Sequence, residues 1–285
     1  MKPFPVPIRV AGPGSHVEEE ALQYLEMPRG MSVFEMPRVP STADAAEAGA
    51  ARALLTGLLE RMERGAEGTV PRLDLAGVPK GTLALVNQML GEGEVSARVD
   101  GARTFRIQES VFAGVWRVCE LGADGGLAND WVEASPLPSV VVEAAHAGSR
   151  SELPAVALPE GAMNSPALLA EIQAQIRAWR PGMDAHVINL TLFPMSPDDH
   201  RVMAEALPVG PVAIMSRGFG NCRVTSTGAR NVWRVQYFNN MDTLILDTLE
   251  VVGLPEVAVA AAEDLADSRE RLAELIDWMA ESEGA

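Results

Sequence analysis

The sequence predicts an α+β fold made of two tandem copies of one unit, each a helix, a strand, a second helix and a run of antiparallel strands. Three observations predict it: a long internal repeat, hydrophobic spacing that switches between helical and strand periods inside each repeat, and a Gly/Ser/Glu/Pro-rich stretch between them. A pseudo-twofold relation between the copies and a closing C-terminal helix complete the expected architecture.

The repeat appears when the chain is slid against itself by 117 positions, which aligns residues 72–141 with 189–258 without a gap. Identical pairs include Leu73/Leu190, Leu90/Leu207, Gly93/Gly210, Arg106/Arg223, Asp130/Asp247, Glu133/Glu250 and Pro138/Pro255, and Val115-Trp116-Arg117-Val118 recurs as Val232-Trp233-Arg234-Val235. A long period present twice implies a duplicated domain, because solenoids need at least three short repeats to bury a continuous core. The expected boundaries are an extended segment at 1–42, a first repeat at 43–147, a linker at 148–163 and a second repeat with the closing helix at 164–285.

Each unit opens with a helix. Leu54, Leu55, Leu58, Leu59 and Met62 fall at helical spacing in 45–64, as do Leu168, Leu169, Ile172 and Ile176 in 165–179. Strands near 70–75 and 186–193 follow. Ser196-Pro197-Asp198-Asp199 then supplies a cap, a first-turn proline and two acids for a helix ending near Leu207, matched by 80–90 in the first copy.

Alternating runs at 94–99, 104–110, 114–121 and 127–133, and at 211–216, 221–226, 231–238 and 244–251, predict four strands per copy. Folding the last pair as a hairpin about Asn239-Asn240-Met241-Asp242 sets Arg234 directly opposite Asp247, and the same construction sets Arg117 opposite Asp130. Since side chains alternate faces, Trp116 and Trp233 belong to the core and the two ion pairs to the other face. A closing helix is expected over 257–281.

The net charge of −16 excludes a surface that tracks nucleic-acid phosphates or anionic lipid, both of which need clustered Lys and Arg. It favours a basic or amphipathic partner. Cys119 and Cys222 are distant and form no CxxC, so the chain alone builds neither a zinc ribbon nor a cysteine-ligated cluster, and reduced cytosolic thiols are expected. Residues 1–12 match neither a secretory signal nor a membrane span. No metal and no cofactor are expected.

Gly218-Phe219-Gly220-Asn221-Cys222 superficially suggests a phosphate cradle, but it lies between strands and lacks the third glycine and the lysine, so it reads as a tight turn. Asp198, Asp199 and His200 read as first-turn helix residues instead of metal ligands. Cys222 aligns with Phe105, which suits a buried apolar slot. His16, His146 and His186 share no spacing with one another or with a nucleophile, and no catalytic set is found. Asn221, Arg223, Asn231, Asn239, Asn240 and Asp242 align with Thr104, Arg106, Gly114, Gly122, Ala123 and Gly125, so polarity has accumulated in the second copy, for a partner or for turn chemistry.

Three stretches resemble the HupH/HyaF/HoxQ family of nickel-iron hydrogenase maturation proteins. They are Gly12-Pro13-Gly14-Ser15 with Tyr24-Leu25-Glu26-Met27-Pro28, then Leu158-Pro159-Glu160-Gly161-Ala162-Met163-Asn164-Ser165-Pro166, then 216–246. The resemblance implies a cytoplasmic accessory protein, not an enzyme, that acts on the iron-sulfur small subunit of an uptake hydrogenase before export, with other maturation factors as further partners. It carries no catalytic residues over. Asn221, Cys222, Arg223, Asn231, Trp233 and Arg234 are the matching motif positions and, with Asn239, Asn240 and Asp242, the candidate partner-binding residues. The expected role is a scaffold or chaperone that binds the unexported precursor. The alternative is a transient redox or iron-sulfur carrier using Cys222.

Overall fold

A computed structural model describes residues 44–64, 69–217 and 220–283. The expected segment at 1–42, with His16 and the first resembling stretches, lies outside the described residues, as do Gly218 and Phe219. The described chain is α+β. In order it runs α1 (Ala45–Arg64), β1 (Arg72–Asp74), α2 (Lys80–Leu90), β2 (Val95–Asp100), β3 (Thr104–Glu109), β4 (Val115–Leu121), β5 (Leu127–Ala134) and α3 (Ser139–His146). It continues through α4 (Ser165–Ala178), β6 (His186–Asn189), α5 (Pro197–Ala206), β7 (Val209–Ser216), β8 (Asn221–Thr227), β9 (Val232–Phe238), β10 (Leu244–Val251) and α6 (Ala262–Glu283).

All ten strands form one antiparallel sheet in the order β1-β5-β4-β3-β2-β7-β8-β9-β10-β6. The two halves of the chain meet at β2 and β7, which pair from Val95↔Ser216 to Val99↔Val212. Residues 148–163 contain neither helix nor strand. Leu153 and Val156 of this stretch pack on the second half, where Leu153 N donates to Gln173 Oε1 at 2.7 Å.

Strand alternation gives the sheet two different faces. On one, Ala97, Val99, Phe105, Ile107, Trp116 and Trp131 of the first half join Val212, Ile214, Val224, Trp233 and Val235 of the second in a single core under α3. Each tryptophan is satisfied as a buried indole must be: Trp116 Nε1 donates to Ser135 O at 2.9 Å and Trp233 Nε1 to Gly253 O at 3.1 Å. The buried Glu133 carboxylate holds the start of α3, accepting from Ser139 N (2.7 Å), Ser135 Oγ and Trp131 Nε1. On the other face, α1, α2 and α6 cover the outer strands of the first half and α4 and α5 those of the second.

Three expectations are corrected. Arg234 lies opposite Leu249, and Arg117 opposite Val132; their ion pairs with Asp247 and Asp130 run diagonally. The register differs from the expected hairpin by two residues, one introduced at the turn and one at the shift between Leu244 and Leu246 or between Glu120 and Leu121, and a displacement of two changes which residues are opposed while leaving both side chains on the same face. The closing helix begins at Ala262, later than 257, because Pro255 is followed by a separate 3-10 turn, Glu256–Ala258. The strand at 186–193 likewise stops at Asn189, where Leu190–Leu192 turn as a 3-10 helix.

Glu109 sits buried between β3 and the Gly114 turn, with Oε1 accepting from Gly114 N at 3.0 Å. Burial pushes its carboxyl up to about 7, which the hydrogen bond only partly offsets. A carboxyl whose folded pKa exceeds its unfolded one stabilises the fold when protonated. Stability therefore falls as pH rises from about 4.5 to about 7, by up to about 3 kcal/mol. Glu109→Gln, which keeps the acceptor, is expected to raise the thermal midpoint at about pH 8 and to flatten its dependence between about pH 5 and 8. A variant that retains the wild-type slope would assign the titration to another group.

Candidate functional site

The covering helices leave the middle of the second face open. A cavity of about 1120 Å³ lies there over the β2–β7 seam, with Arg98, Arg106, Arg223, Arg234, Asp100 and Asp247 in its lining. Its apolar wall comes from the 3-10 turn before α5 and from α5 itself: Leu190, Phe193, Met195, Met203 and Leu207. Met215 on the floor and Phe193 on the wall are more than a third exposed.

The strand registers lay the arginines out in two adjacent cross-strand rows. One runs Arg117, Gln108, Ser96, Met215, Arg223, Gln236, Asp247, and the next Cys119, Arg106, Arg98, Ala213, Thr225, Arg234, Leu249. Arg98 and Arg106 are directly opposed, a destabilising arrangement for like charges. Asp100 relieves it by pairing with both, at 3.4 and 2.7 Å.

Two substitutions between aligned positions make the second half of this surface barer. Arg117 is held by Asp130 through two hydrogen bonds (3.1 and 2.7 Å) and by Asn87 of α2, which accepts from Nη1 at 2.6 Å. Arg234 makes the equivalent fork to Asp247 at 2.9 and 2.6 Å, but Ala204 stands in α5 where Asn87 stands in α2. Its side chain is accordingly 45% exposed against 30% for Arg117. Arg106 has Asp100, whereas the residue aligned with Asp100 is Arg217. Arg223 is exposed, lies over the Phe238 ring at 5.3 Å and makes no ion pair among the described residues.

The sequence-derived candidates divide among three places. Arg223 and Arg234 line the cavity. Cys222 and Trp233 lie on the opposite face, 3% and 2% exposed, and have almost no surface to offer a partner. Burial, against a hydrogen bond with Tyr237, pushes the Cys222 thiol up to about 11, so the thiolate that ligates metal or attacks disulfides is suppressed. Asn221, Asn239, Asn240 and Asp242 belong to the β9–β10 turn or contact it. Asn239 Oδ1 accepts from Met241 N and Thr243 N, both at 2.9 Å, Asn221 Nδ2 donates to Asp242 Oδ1 at 3.5 Å, and Asp242 has φ 56°.

Asn231 has φ 60°, the left-handed conformation that Gly114 adopts at φ 77° in the first half, and its Oδ1 lies 3.2 Å from His146 Nε2 at the end of α3. The cavity arginines of the first half, Arg98 and Arg106, escaped sequence reasoning. The available signal was Arg217 aligned with Asp100.

No acid-base or nucleophilic set assembles among the described residues. His186 pairs with Glu171 at 2.7 Å, and the His200 side chain, which lines the cavity, makes no hydrogen bond or ion pair among the described residues. Asp199 is buried as a structural acid. Burial opposes its charge, but hydrogen bonds from Ser165 N, Ser196 N, Ser165 Oγ and Asn164 N, at 2.8 to 3.0 Å, hold its carboxyl well below the usual range. It thereby caps both α4 and α5. No group of three or more His, Cys, Asp or Glu among the described residues is arranged to hold a metal ion. No helix among them is long and apolar enough to cross a membrane.

Comparison with known proteins follows the same lines. The model of the HupH hydrogenase expression protein, C-terminal conserved region, matches the chain twice, at 48–153 and 162–279. The hydrogenase expression/formation protein HoxQ of Cupriavidus necator is 45% identical over 98% of this chain and 99% of its own. HupH of Rhodobacter capsulatus is 40% identical over 93% and 94%, and the hydrogenase-1 operon protein HyaF of Escherichia coli K12 is 31% identical over 95% and 96%. The solved structure of hydrogenase expression protein HupH from Thiobacillus denitrificans is 25% identical over 41% of this chain and 96% of its own, with a TM-score of 0.37.

If Asn231 serves the turn, Asn231→Gly should change stability by less than about 1 kcal/mol, whereas Asn231→Val should cost about 1–3 kcal/mol, since a β-branched residue is strained at positive φ. Urea unfolding of both variants measures the difference. Equal losses would point to the His146 contact as the dominant contribution.

Proposed function

The chain belongs to the HupH family of hydrogenase expression proteins, and from that membership we propose that it is a cytoplasmic, non-enzymatic scaffold or chaperone for the iron-sulfur small subunit of an uptake hydrogenase. It binds the unexported precursor while clusters are inserted. The observation that carries this reading is the open, arginine-lined cavity with an apolar wall, in a fold whose described residues assemble no catalytic set. Such a surface suits a protein segment better than a small molecule to be transformed.

This reading takes the two halves as tandem sister copies, related by a pseudo-twofold through the β2–β7 seam. The strand order, which reads the same from either end once copies are exchanged, and the double match to one family model support it. It also assigns separate roles to the two signs of charge. The chain's acidity, displayed for example by Asp267, Glu270, Glu274 and Asp277 along the exposed side of α6, favours encounter with a basic export signal, while the cavity is reserved for a different part of the partner. Cys222, buried with a suppressed thiolate, has no part in it.

Pull-down of the tagged chain from hydrogenase-expressing cells is expected to bring the signal-bearing small-subunit precursor with it. Arg234→Ala, which leaves the buried Asp247 without its partner, should reduce the yield severalfold in preparations that circular dichroism shows to be folded, and Cys222→Ser should leave both precursor capture and hydrogenase yield unchanged. Absence of the precursor from every wild-type preparation would overturn the proposal. Loss of hydrogenase in folded Cys222→Ser would restore the carrier alternative.

A further inference from the structure

Resting on the scaffold reading, we infer that the seam cavity is a docking site for an extended partner segment bearing two or more carboxylates between apolar residues, and that Arg223 is its main anchor. Charge complementarity carries the inference. In a chain of net charge −16, four arginines and two aspartates line one cavity, so the local sign is opposite to that of the protein as a whole. The two aspartates already engage Arg98, Arg106 and Arg234, and Arg223 is left with its guanidinium exposed over the Phe238 ring.

The position of Arg223 strengthens the case. Its aligned partner Arg106 is neutralised by Asp100, and the residue in the Asp100 position of the second half is a further exposed arginine, Arg217. A surface arginine set among other arginines loses stability unless something anionic meets it, and a planar guanidinium with free donors binds carboxylate in bidentate fashion. Arg98 and Arg234 lie three strand spacings apart, roughly 14 Å, a span that an extended peptide of about five residues covers.

The wall favours a peptide over a small anion. Phe193, Met195 and Met203 line the cavity, and Leu192, Val209 and Leu244 lie exposed nearby, apolar surface that phosphate or citrate leaves wet. Nucleic acid offers the same charge, but the acidity of the remaining surface repels a polyanion extending beyond the cavity.

The test uses the full chain as wild type, Arg223→Glu, Arg223→Lys and the distant control Arg64→Glu. Each is assayed for capture of the small-subunit precursor and for binding to an array of tiled peptides from that precursor. Arg223→Glu is expected to lose about tenfold in capture and in array signal, Arg223→Lys to recover part of it, Arg64→Glu to match wild type, and the retained tiles to be acidic with apolar residues between the acids. Equal capture by wild type and Arg223→Glu overturns the docking site and leaves the scaffold reading standing; capture by neither overturns both. Retention of basic or neutral tiles, or displacement of the tiles by inorganic phosphate or a short DNA strand, also overturns the inference.

Discussion

The backbone pairing of β2 with β7 is the constraint on which the rest of the molecule depends. Because alternate residues take opposite faces, fixing Ala97 against Ile214 and Val99 against Val212 commits both halves to one continuous apolar layer under α3. The same pairing commits Ser96, Arg98, Ala213 and Met215 to the other face, where α2 and α5 stand to either side. A register slipped by one residue would bury Arg98 and expose Val99. Core and cavity are two consequences of one set of hydrogen bonds.

Aligned positions diverge on both faces, as Phe105 against Cys222 and Trp131 against Thr248 show in the core, but on the second face the changes alter charge. The core keeps Trp116/Trp233, Val118/Val235 and Val115/Val232, and the ion pairs keep Arg117–Asp130 and Arg234–Asp247, since removing the arginine would leave a buried aspartate without its partner. Around the cavity Asn87 gives way to Ala204, Asp100 to Arg217 and Arg98 to Met215. Each change removes a polar constraint or alters a charge without touching the core.

Much of this was legible in the sequence because it depends on local period and parity. The helices at 45–64 and 80–90, the strands of both halves and the burial of Trp116 and Trp233 follow from spacing alone. The diagonal geometry of the ion pairs did not follow, since the turn and the bulge together move the register by two residues, which changes the opposed residue without changing its face. The cavity was only half legible: Arg223 and Arg234 stood out in the repeat comparison, but Arg98 and Arg106 join them only through the β2–β7 pairing, a long-range contact that no local pattern encodes. Asn231, Asn239 and Asp242 drew attention as polar gains and proved to sit at turns requiring positive φ or side-chain acceptors. Turn chemistry and recognition favour the same residue types.

The outermost strands are the shortest of the sheet, three residues in β1 and four in β6. Short edges offer few unpaired amides and carbonyls, so they make poor templates for an added strand. A partner that cannot extend the sheet has to be recognised across a face, by side chains. Strand addition reads mainly backbone and accepts many sequences. Recognition through a fixed pattern of guanidinium groups and apolar surface is selective, and it leaves a sheet unchanged when a bound segment departs.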